Sequence, residues 1–443
     1  MPVKTSILAA KMAHKASRLF NKSGSNLPGL VARKIDRHIL KKLANRTDKI
    51  IFISGTNGKT TTSQIVGHIL KENGFRLIHN SEGSNMITGI TTAFIKNEGL
   101  LRRKKADIAV IEIDEGSIER VTKEIQPELM VFTNFFRDQL DRFGEIDILV
   151  NKIGDVLKQT AVKLILNADD PFVTRLGYLG LEAEYFGLGK NAFAFEQYNM
   201  IESTFCPQCG DPLHYKHTHY GQLGHYSCRC GFGRKKPKYE IKHLEMKEGL
   251  SLKTNVGDFF IPILGSYNAI NALAAISVCI ESGLSSEQIQ NAISTFHVKN
   301  GRMECFDNKD KRVVLNLAKN PAGVNVSLSV SNINNERKQY LLPLNDLGDD
   351  GRDISWIWDA DYEKINCSHT DRIICSGLRA ADMAVRLKYA GIPEDKIEII
   401  QNVNLAVDEL LKKRLNSYVV ANYSTLQPTR KALVERLKSV KGL

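Results

Sequence analysis

Long apolar runs are absent from this sequence. None of its apolar stretches approaches the roughly 18 residues that a membrane-spanning helix needs. The apolar segment 7–10 near the N-terminus ends at Lys11 and is too short for the core of a signal peptide. Repeats of fixed period and low-complexity segments are absent as well. These absences argue against a membrane-embedded or repeat-built protein, and we expect a cytoplasmic one.

Acidic residues are fewer than basic ones. The chain has 49 acidic and 61 basic residues, a formal net charge of +12. A basic excess favours anionic partners such as nucleotides, nucleic acid or an acidic membrane surface. With 42% hydrophobic and 25% charged residues, the composition is that of a folded globular protein and not of a disordered one. At roughly 100–200 residues per domain, the length of 443 residues predicts about two to four domains.

The sequence pattern divides the chain into three regions. Residues 1–48 carry lysines and arginines among apolar residues at helical intervals, which predicts a basic helical lead-in. This lead-in either covers the domain behind it or is attracted to an anionic membrane surface. Short apolar strands alternate with amphipathic helices through 49–300 and again through 301–443. This alternation predicts an α/β fold with a parallel sheet in the central domain and a smaller doubly wound C-terminal domain. An insert at 204–237 interrupts the central domain.

A glycine-rich turn lies between a strand-like run and a helix. Its sequence is Gly55-Thr56-Asn57-Gly58-Lys59-Thr60-Thr61, directly after the apolar run 50–54. The glycines allow backbone amides and the helix N-terminus to face a polyphosphate, Lys59 can neutralise phosphate oxygens, and the Thr60 hydroxyl can bind Mg²⁺. The first glycine comes two residues later than in the general phosphate-loop pattern, where Ile53 stands here. The segment therefore predicts a site for ATP and Mg²⁺.

Four of the eight cysteines form two close pairs within the insert. They are spaced C-x2-C and C-x-C, with 18 residues between the pairs: Cys206, Cys209, Cys228 and Cys230. Two such pairs are typical of a tetrahedral Cys₄ zinc site in a ribbon-like hairpin. Four protein thiolates leave no coordination position open, so we expect the Zn²⁺ to be structural. The other cysteines are scattered in apolar contexts and are predicted to be core residues.

Several segments follow one another as they do in the Mur ligase family. They are Gly55–Thr61, Thr133-Asn134, Asp138–Asp141, Asn167–Pro171, Asn268–Ala275 and Gly301–Glu304. The first of them resembles the ATP loop of that family, which includes the peptidoglycan amino-acid ligases and the folylpolyglutamate synthases. The resemblance covers about residues 50–325. It implies a Mur ligase-like central domain that binds ATP and Mg²⁺.

Three further features narrow the resemblance. The cysteine-rich insert, the segment 316–323 and the loop 349–353 are similar to those of the synthetase subunits of lipid II isoglutaminyl synthases. This resemblance implies ATP-dependent amidation of the α-carboxylate of D-isoglutamate in lipid II, through an acyl phosphate and at the inner face of the membrane. It also implies that ammonia comes from a GatD-type glutaminase subunit and that Asp353 completes the Cys-His pair of that subunit. On composition alone, the loop is an ordinary solvated turn.

The resemblance also selects residues for the nucleotide and its metal. Glu112, at the end of a strand-like run, matches the family's strand-end glutamate and is expected to bind Mg²⁺ together with Thr60. Period-two alternation also sends Asp114 to the same side, and a plain surface carboxylate is the other alternative. Asn268 and Asn271, three residues apart at a helix start, and Arg302 are expected to contact the nucleotide. Helix capping by Asn268 and a surface ion pair at Arg302 are the alternatives there.

The sequence leaves two alternative functions open. A Mur ligase that joins an amino acid to a carboxylate would keep the ATP site and need no glutaminase. A nucleic-acid-binding ATPase is suggested by the net charge, the ribbon and the basic run Arg234-Lys235-Lys236. Against the second function, the basic residues are spread along the chain and no aromatic stacking motif lies among them. We therefore expect no nucleic-acid partner.

Overall fold

A computed structural model of the chain describes residues 3–19, 26–80, 84–98, 105–136, 146–190, 192, 203–247, 249–297, 302–308, 311–332, 336–348 and 350–438. The chain forms two compact units. The first comprises Met1–Pro262 and Tyr267–Phe296, and the second Ile263–Ser266 and His297–Leu443. None of the described helices combines the length and the apolar character needed to cross a membrane.

The first unit is built on a large mixed sheet. The strands of this unit are β1 Thr47–Ser54, β2 Leu77–His79, β3 Ala106–Glu112, β4 Leu129–Phe132, β5 Lys163–Asn167, β6 Ala183–Leu188, β7 His214–Tyr220, β8 Leu223–Ser227, β9 Tyr239–Met246, β10 Leu250–Thr254 and β11 Asp258–Ile261. The order in the sheet is β11-β10-β9-β6-β5-β4-β1-β3-β2, and β7 and β8 form a separate two-stranded sheet. Consecutive residues 51–53 of β1 have no exposed surface. Because successive side chains in a strand point to opposite faces, both faces of the sheet are covered here.

The helices of the first unit begin with the basic segment. They are α1 Val3–Leu19, α2 Leu27–Ile35, α3 Ile39–Ala44, α4 Lys59–Glu72, α5 Ile87–Asn97, α6 Ile118–Thr122, α7 Ile146–Leu157, α8 Pro171–Arg175, α9 Tyr267–Glu281 and α10 Ser286–Ile293. Helix α2 packs between α1 and α5. A β-carbon at Gly29 of α2 would lie 1.8 Å from the carbonyl oxygen of Thr88, so only glycine permits this close approach.

The antiparallel pairing at one edge of this sheet was not predicted. Strands β1 to β6 and β9 pair in parallel, as the alternation of strands and helices predicts. Strands β9, β10 and β11 instead pair antiparallel. Buried and exposed residues alternate along β11, because an antiparallel edge can face water on one side. That alternation is the sequence signal that distinguishes these strands from the continuous apolar runs of the parallel ones.

The second unit is a smaller doubly wound α/β domain. Its strands are β12 Arg302–Asn308, β13 Lys311–Leu317, β14 Lys338–Pro343, β15 Thr370–Ser376, β16 Ile397–Ile399 and β17 Asn416–Ala421, in the order β12-β13-β17-β14-β15-β16. Its helices are α11 Pro321–Ser331, α12 Ala380–Tyr389, α13 Val403–Lys412 and α14 Tyr423–Lys438. Tyr340 and Leu342 of β14 belong to one apolar cluster, and Leu341 belongs to another. The sheet therefore carries a core on each face.

Candidate functional site

The phosphate loop joins β1 to α4 in a conformation that needs glycine at two positions. Gly55 has φ +124° and Gly58 has φ +85°. A β-carbon on Gly55 would lie 2.3 Å from Oγ1 of Thr133, and one on Gly58 would lie 2.1 Å from Oδ1 of Asn271. Gly58 precedes the helix and offers no side chain to cap it. The first amides of α4 are therefore left to bind an anionic ligand.

Lys59 is buried at the start of α4 and paired with a carboxylate. Its Nζ donates to both carboxylate oxygens of Glu115, at 3.0 and 3.1 Å. Burial alone would lower the pKa of Lys59, but the carboxylates of Glu115, Asp114 and Glu112 outweigh it and raise that pKa above its usual value. Lys59 therefore stays charged. Glu115 was not predicted as a site residue.

Thr60 lies against the predicted strand-end glutamate. Its hydroxyl donates to Oε1 of Glu112 at 3.0 Å. The backbone of Glu112 is held on both sides by Asn80, which accepts from its amide at 2.8 Å and donates to its carbonyl oxygen at 2.7 Å. The second oxygen of Glu112, Oε2, is buried and has no hydrogen-bond partner among the described residues. A buried, unpartnered carboxylate oxygen beside a threonine hydroxyl fits a Mg²⁺ site.

The segment after β4 holds the other side of the phosphate loop. The amide of Thr56 donates to the carbonyl oxygen of Asn134 at 2.8 Å, and the amide of Asn57 donates to the Asn134 side chain at 2.9 Å. The hydroxyl of Thr133 donates to the carbonyl oxygen of Asn57 at 2.7 Å. Oγ1 of Thr56 accepts from the amide of Phe136 at 3.1 Å. Residues 133–136 therefore fix the loop backbone, and the Thr133-Asn134 motif has a physical role.

The two asparagines of α9 lie beside the phosphate loop. Asn268 and Asn271 are buried, and Nδ2 of Asn271 donates to Oδ1 of Asn268 at 3.1 Å. Oδ1 of Asn271 is the atom that a β-carbon on Gly58 would meet. The start of α9 therefore packs directly against the loop that is expected to bind phosphate. Nucleotide contact by these two residues stays a prediction.

The four cysteines of the insert meet as their spacing predicts. All four sulfur atoms lie within 4.8 Å of one another, with Cys206 and Cys230 3.7 Å apart and Cys209 and Cys228 3.5 Å apart. Four thiolates placed 2.3 Å from one Zn²⁺ at tetrahedral angles would stand about 3.8 Å apart. The cluster therefore fits a structural Zn²⁺.

The insert is tied to the central sheet by a buried ion pair. Nε of Arg234 donates to Oδ1 of Asp169 at 2.6 Å, and the amide of Leu188 donates to Oδ2 of the same carboxylate at 2.8 Å. Asp169 has no exposed surface. Arg234 belongs to the basic run that suggests nucleic-acid binding, but its charge pairs with Asp169 inside the protein because this buried carboxylate needs a partner.

The tip of the hairpin β7–β8 reaches the segment that holds the phosphate loop. Nε2 of Gln222 donates to the carbonyl oxygen of Phe135 at 2.5 Å. Gly221 lies against the ring of Phe136, where a β-carbon would come within 2.6 Å of a ring carbon. Phe136 in turn exchanges hydrogen bonds with Thr56. The insert therefore contacts the phosphate loop through one intervening segment.

Replacing Cys228 by serine should release Zn²⁺ and weaken ATP binding. Loss of the metal loosens the hairpin, and loss of one buried hydrogen bond costs about 1–3 kcal/mol, so we expect the KM for ATP to rise about tenfold with a smaller change in kcat. Zinc content and steady-state kinetics measure both effects. Cys305→Ser, at an exposed cysteine of the second unit, is the matched control. Loss of zinc with an unchanged KM for ATP would contradict a role of the insert in supporting the phosphate loop.

Acidification should destabilise the first unit through His219. Burial lowers the pKa of His219 to about 4, below the ordinary 6.5. The unfolded chain therefore takes up a proton that the folded chain excludes, and stability falls as the pH drops from about 6.5 toward 4. Between pH 7 and pH 5 this group alone costs about 2 kcal/mol. Urea unfolding at both pH values measures the loss, which should be smaller by that amount in His219→Leu. An equal loss in the variant would contradict this assignment.

Asp353 lies in the loop between β14 and β15 of the second unit. The side chain is exposed, and its Oδ1 accepts from the amide of Ser355 at 2.8 Å. This hydrogen bond lowers the pKa of Asp353, which keeps the carboxylate ionised. Asp350 anchors the loop by accepting from the amide and the hydroxyl of Ser424, at 2.8 and 2.5 Å. Gly351 between them has φ +80°, which favours glycine.

Some predicted site residues lie outside the described part of the chain. The motif Asp138–Asp141 and residues 301 and 349 are among them. The backbone of Arg302 begins β12, but its side chain is also outside the described residues. Their predicted roles stay predictions.

Comparison with known protein families finds a matching family model for each of the two units. The model of the Mur ligase middle domain matches residues 53–279, and that of the MurT ligase C-terminal domain matches residues 317–426. The chain is 49% identical to the MurT subunit of the glutamine-hydrolysing lipid II isoglutaminyl synthase of Staphylococcus aureus (strain COL), over 96% of each chain. The chain belongs to the MurT family. A MurT subunit from Streptococcus pneumoniae (strain ATCC BAA-255 / R6) is 36% identical over 98% of each chain.

Solved structures agree on the fold of this MurT-family chain. MurF from Acinetobacter baumannii superposes with a TM-score of 0.68 at 16% identity, over 93% of this chain and 81% of that one. At that identity the likeness concerns the fold alone. Membership in the MurT family confirms the resemblance, the α/β fold and an ATP-dependent ligase of the Mur type.

Proposed function

We propose that this chain is the synthetase subunit that amidates the α-carboxylate of D-isoglutamate in the lipid II stem peptide, giving D-isoglutamine. The observation that carries the proposal is the pair of buried contacts at the phosphate loop, Lys59 with Glu115 and Thr60 with Glu112. They occur in a chain that is similar to MurT subunits over nearly its whole length. The contacts support phosphoryl transfer, and the similarity supports the substrate.

The reaction needs a leaving group better than hydroxide. A substrate carboxylate oxygen attacks the γ-phosphorus of ATP and ADP leaves; the ammonia nitrogen then attacks the acyl carbon, phosphate leaves, and the nitrogen loses a proton. Lys59 and the first amides of α4 would bind the phosphate oxygens and neutralise their charge. Thr60 and Glu112 would hold Mg²⁺, which when bound adds further neutralisation of phosphate charge.

A GatD-type glutaminase subunit is the proposed source of ammonia. Asp353 is exposed and ionised, so its carboxylate is available to orient the histidine of a Cys-His pair on a partner. Close by in sequence, Trp358 is 48% exposed and lies edge to face with Tyr389, which is 76% exposed, at 5.4 Å between ring centroids. Exposed aromatic side chains are typical of protein interfaces. These features support a glutaminase interface on the second unit.

The proposal places the reaction at the cytoplasmic face of the membrane, because lipid II is anchored there by its lipid. The structural Zn²⁺ of the insert takes no part in the chemistry, since four cysteines would fill its coordination sphere. The alternative function is amino-acid ligation to a carboxylate without a glutaminase. That function would use the same ATP site but leave the surface around Asp353 without a role.

Mass spectrometry of lipid II distinguishes the two functions. The chain is incubated with lipid II, MgATP and ¹⁵N-labelled ammonium, or with amide-labelled glutamine with and without a GatD-type glutaminase. We expect labelled carboxamide from ammonium in the absence of the partner, and from glutamine only in its presence. An adduct that forms only with an added amino acid, or ATP hydrolysis without carboxamide under any condition, would contradict the proposal.

A further inference from the structure

Helix α1 presents an apolar stripe flanked by lysines to solvent. Lys4, Leu8, Met12 and Lys15 follow one another at intervals of four, four and three residues, and all four are exposed. Leu8 is 46% exposed and Met12 is 58% exposed. Ile7 and Ala10, on another side of the helix, belong to the core of the first unit. The exposed stripe is therefore additional to the face that packs.

Helix α2 also exposes apolar and basic side chains on one side. Leu27 and Leu30 are 40% and 43% exposed, and the exposed Lys34 follows one turn later on the same side. Pro28, Gly29 and Ala32 of this helix are buried. Because α1 and α2 pack on each other, two amphipathic helices present exposed apolar and basic side chains in one part of the unit. We call the exposed side chains of residues 4, 8, 12, 15, 27, 30 and 34 the N-terminal surface.

The lysines of this surface have no ionic partner within the part of the chain that the structure describes. Among the described residues, no carboxylate forms an ion pair with Lys4, Lys15 or Lys34, nor with the exposed Arg37 and Lys41 that follow. Other basic residues of the same segment are paired, for example Arg33 with Glu124 at 2.6 Å. The surface therefore combines uncompensated positive charge with exposed leucine and methionine side chains.

We propose that the N-terminal surface docks on an anionic lipid bilayer, with Leu8, Met12, Leu27 and Leu30 inserted at the headgroup level. Amphipathic helices with basic polar faces bind such interfaces, and positive charge alone would not require exposed apolar side chains. An anionic bilayer offers negative headgroups to the lysines and an apolar region to the leucine and methionine side chains. The inference rests on the proposed function, because a lipid-anchored substrate gives this docking its use.

Co-sedimentation with vesicles tests the proposal on the full chain. The probes are vesicles of phosphatidylcholine with and without phosphatidylglycerol, without substrate or nucleotide. One lysine near an anionic surface contributes about fivefold to partitioning, so Lys4→Gln/Lys15→Gln should bind about 25-fold more weakly. Leu8→Ser/Met12→Ser should bind about tenfold more weakly, because part of the inserted apolar area is lost. Matched double controls at exposed positions are Lys242→Gln/Lys253→Gln, at lysines that form no ion pair among the described residues, and Leu378→Ser/Leu405→Ser.

Three results would overturn the docking. One is equal binding to both kinds of vesicle, and another is binding of the N-terminal variants that equals that of the controls. The third is a dimer in the absence of vesicles that Leu8→Ser/Met12→Ser converts to a monomer, which would assign the surface to a second copy of this chain. Amidation of detergent-solubilised lipid II is measured in parallel. If only the docking proposal is wrong, the chain still amidates detergent-solubilised lipid II. If the proposed function is wrong, this amidation is absent, whether or not the chain binds vesicles.

Discussion

Replacing Lys59 by methionine is expected to lower ATP-dependent amidation about 10²–10³-fold. The ammonium group would neutralise charge on the transferring phosphoryl group, and removal of one such donor in a water-excluded site costs a factor of this size. Amidation with saturating ammonium measures the effect without requiring a partner. An activity within a few-fold of the unaltered chain would contradict the assignment of this loop.

The same substitution has a structural consequence that must be separated from the chemical one. Glu115, whose partner is Lys59, is only 7% exposed. Lys59→Met leaves this carboxylate buried without its counterion, which costs about 3–5 kcal/mol of unfolding free energy. The double variant Lys59→Met/Glu115→Gln removes that carboxylate charge. We expect it to recover stability in urea unfolding while staying inactive, and recovery of activity as well would show that Lys59 acts only structurally.

Replacing Asp353 by asparagine is expected to separate the two nitrogen sources. Glutamine-driven amidation should fall about 10²–10⁴-fold, because an amide cannot orient and stabilise a partner's imidazolium as a carboxylate does. Ammonium-driven amidation should be unchanged, since Asp353 would not take part in carboxylate activation. Assays with both nitrogen sources, in the presence of the glutaminase, measure the split.

The control for this variant lies six residues further on. Asp359→Asn makes the same change in charge at another exposed aspartate in the same connection, and both activities should survive it. Binding of the glutaminase is measured for each variant, so that a weakened complex is not mistaken for a lost triad member. Equal loss with ammonium and with glutamine in Asp353→Asn would remove this residue from the glutaminase triad.

The phosphate loop and the proximity of Glu112 to Thr60 were predictable because their signals are local. Gly55 and Gly58 mark a turn, Lys59 and Thr60 follow directly, and Glu112 ends a neighbouring parallel strand. Glu115 was missed because period-two alternation stops where β3 ends, and a short 3₁₀ turn brings this residue back toward Lys59. The signal that could have found it is physical: a lysine buried in the loop needs a carboxylate nearby.

The cysteine cluster likewise was predictable from residues close in sequence, whereas its contacts with distant residues were not. The spacing of the four cysteines predicts their meeting, but not the attachment of the insert. Arg234 pairs with Asp169, a residue 65 positions earlier, and Gln222 reaches Phe135, 87 positions earlier. Such contacts follow from the three-dimensional arrangement of β5, the hairpin and the segment after β4. Periodicity and composition carry no information on them.

Transfer of oxygen from substrate to phosphate tests the central claim most directly. Lipid II carrying oxygen-18 in its D-isoglutamate α-carboxylate is incubated with the chain, MgATP and ammonium, and the inorganic phosphate is analysed by mass spectrometry. Activation as an acyl phosphate predicts one oxygen-18 atom in each phosphate released with the carboxamide. Carboxamide formation with unlabelled phosphate would contradict this chemistry.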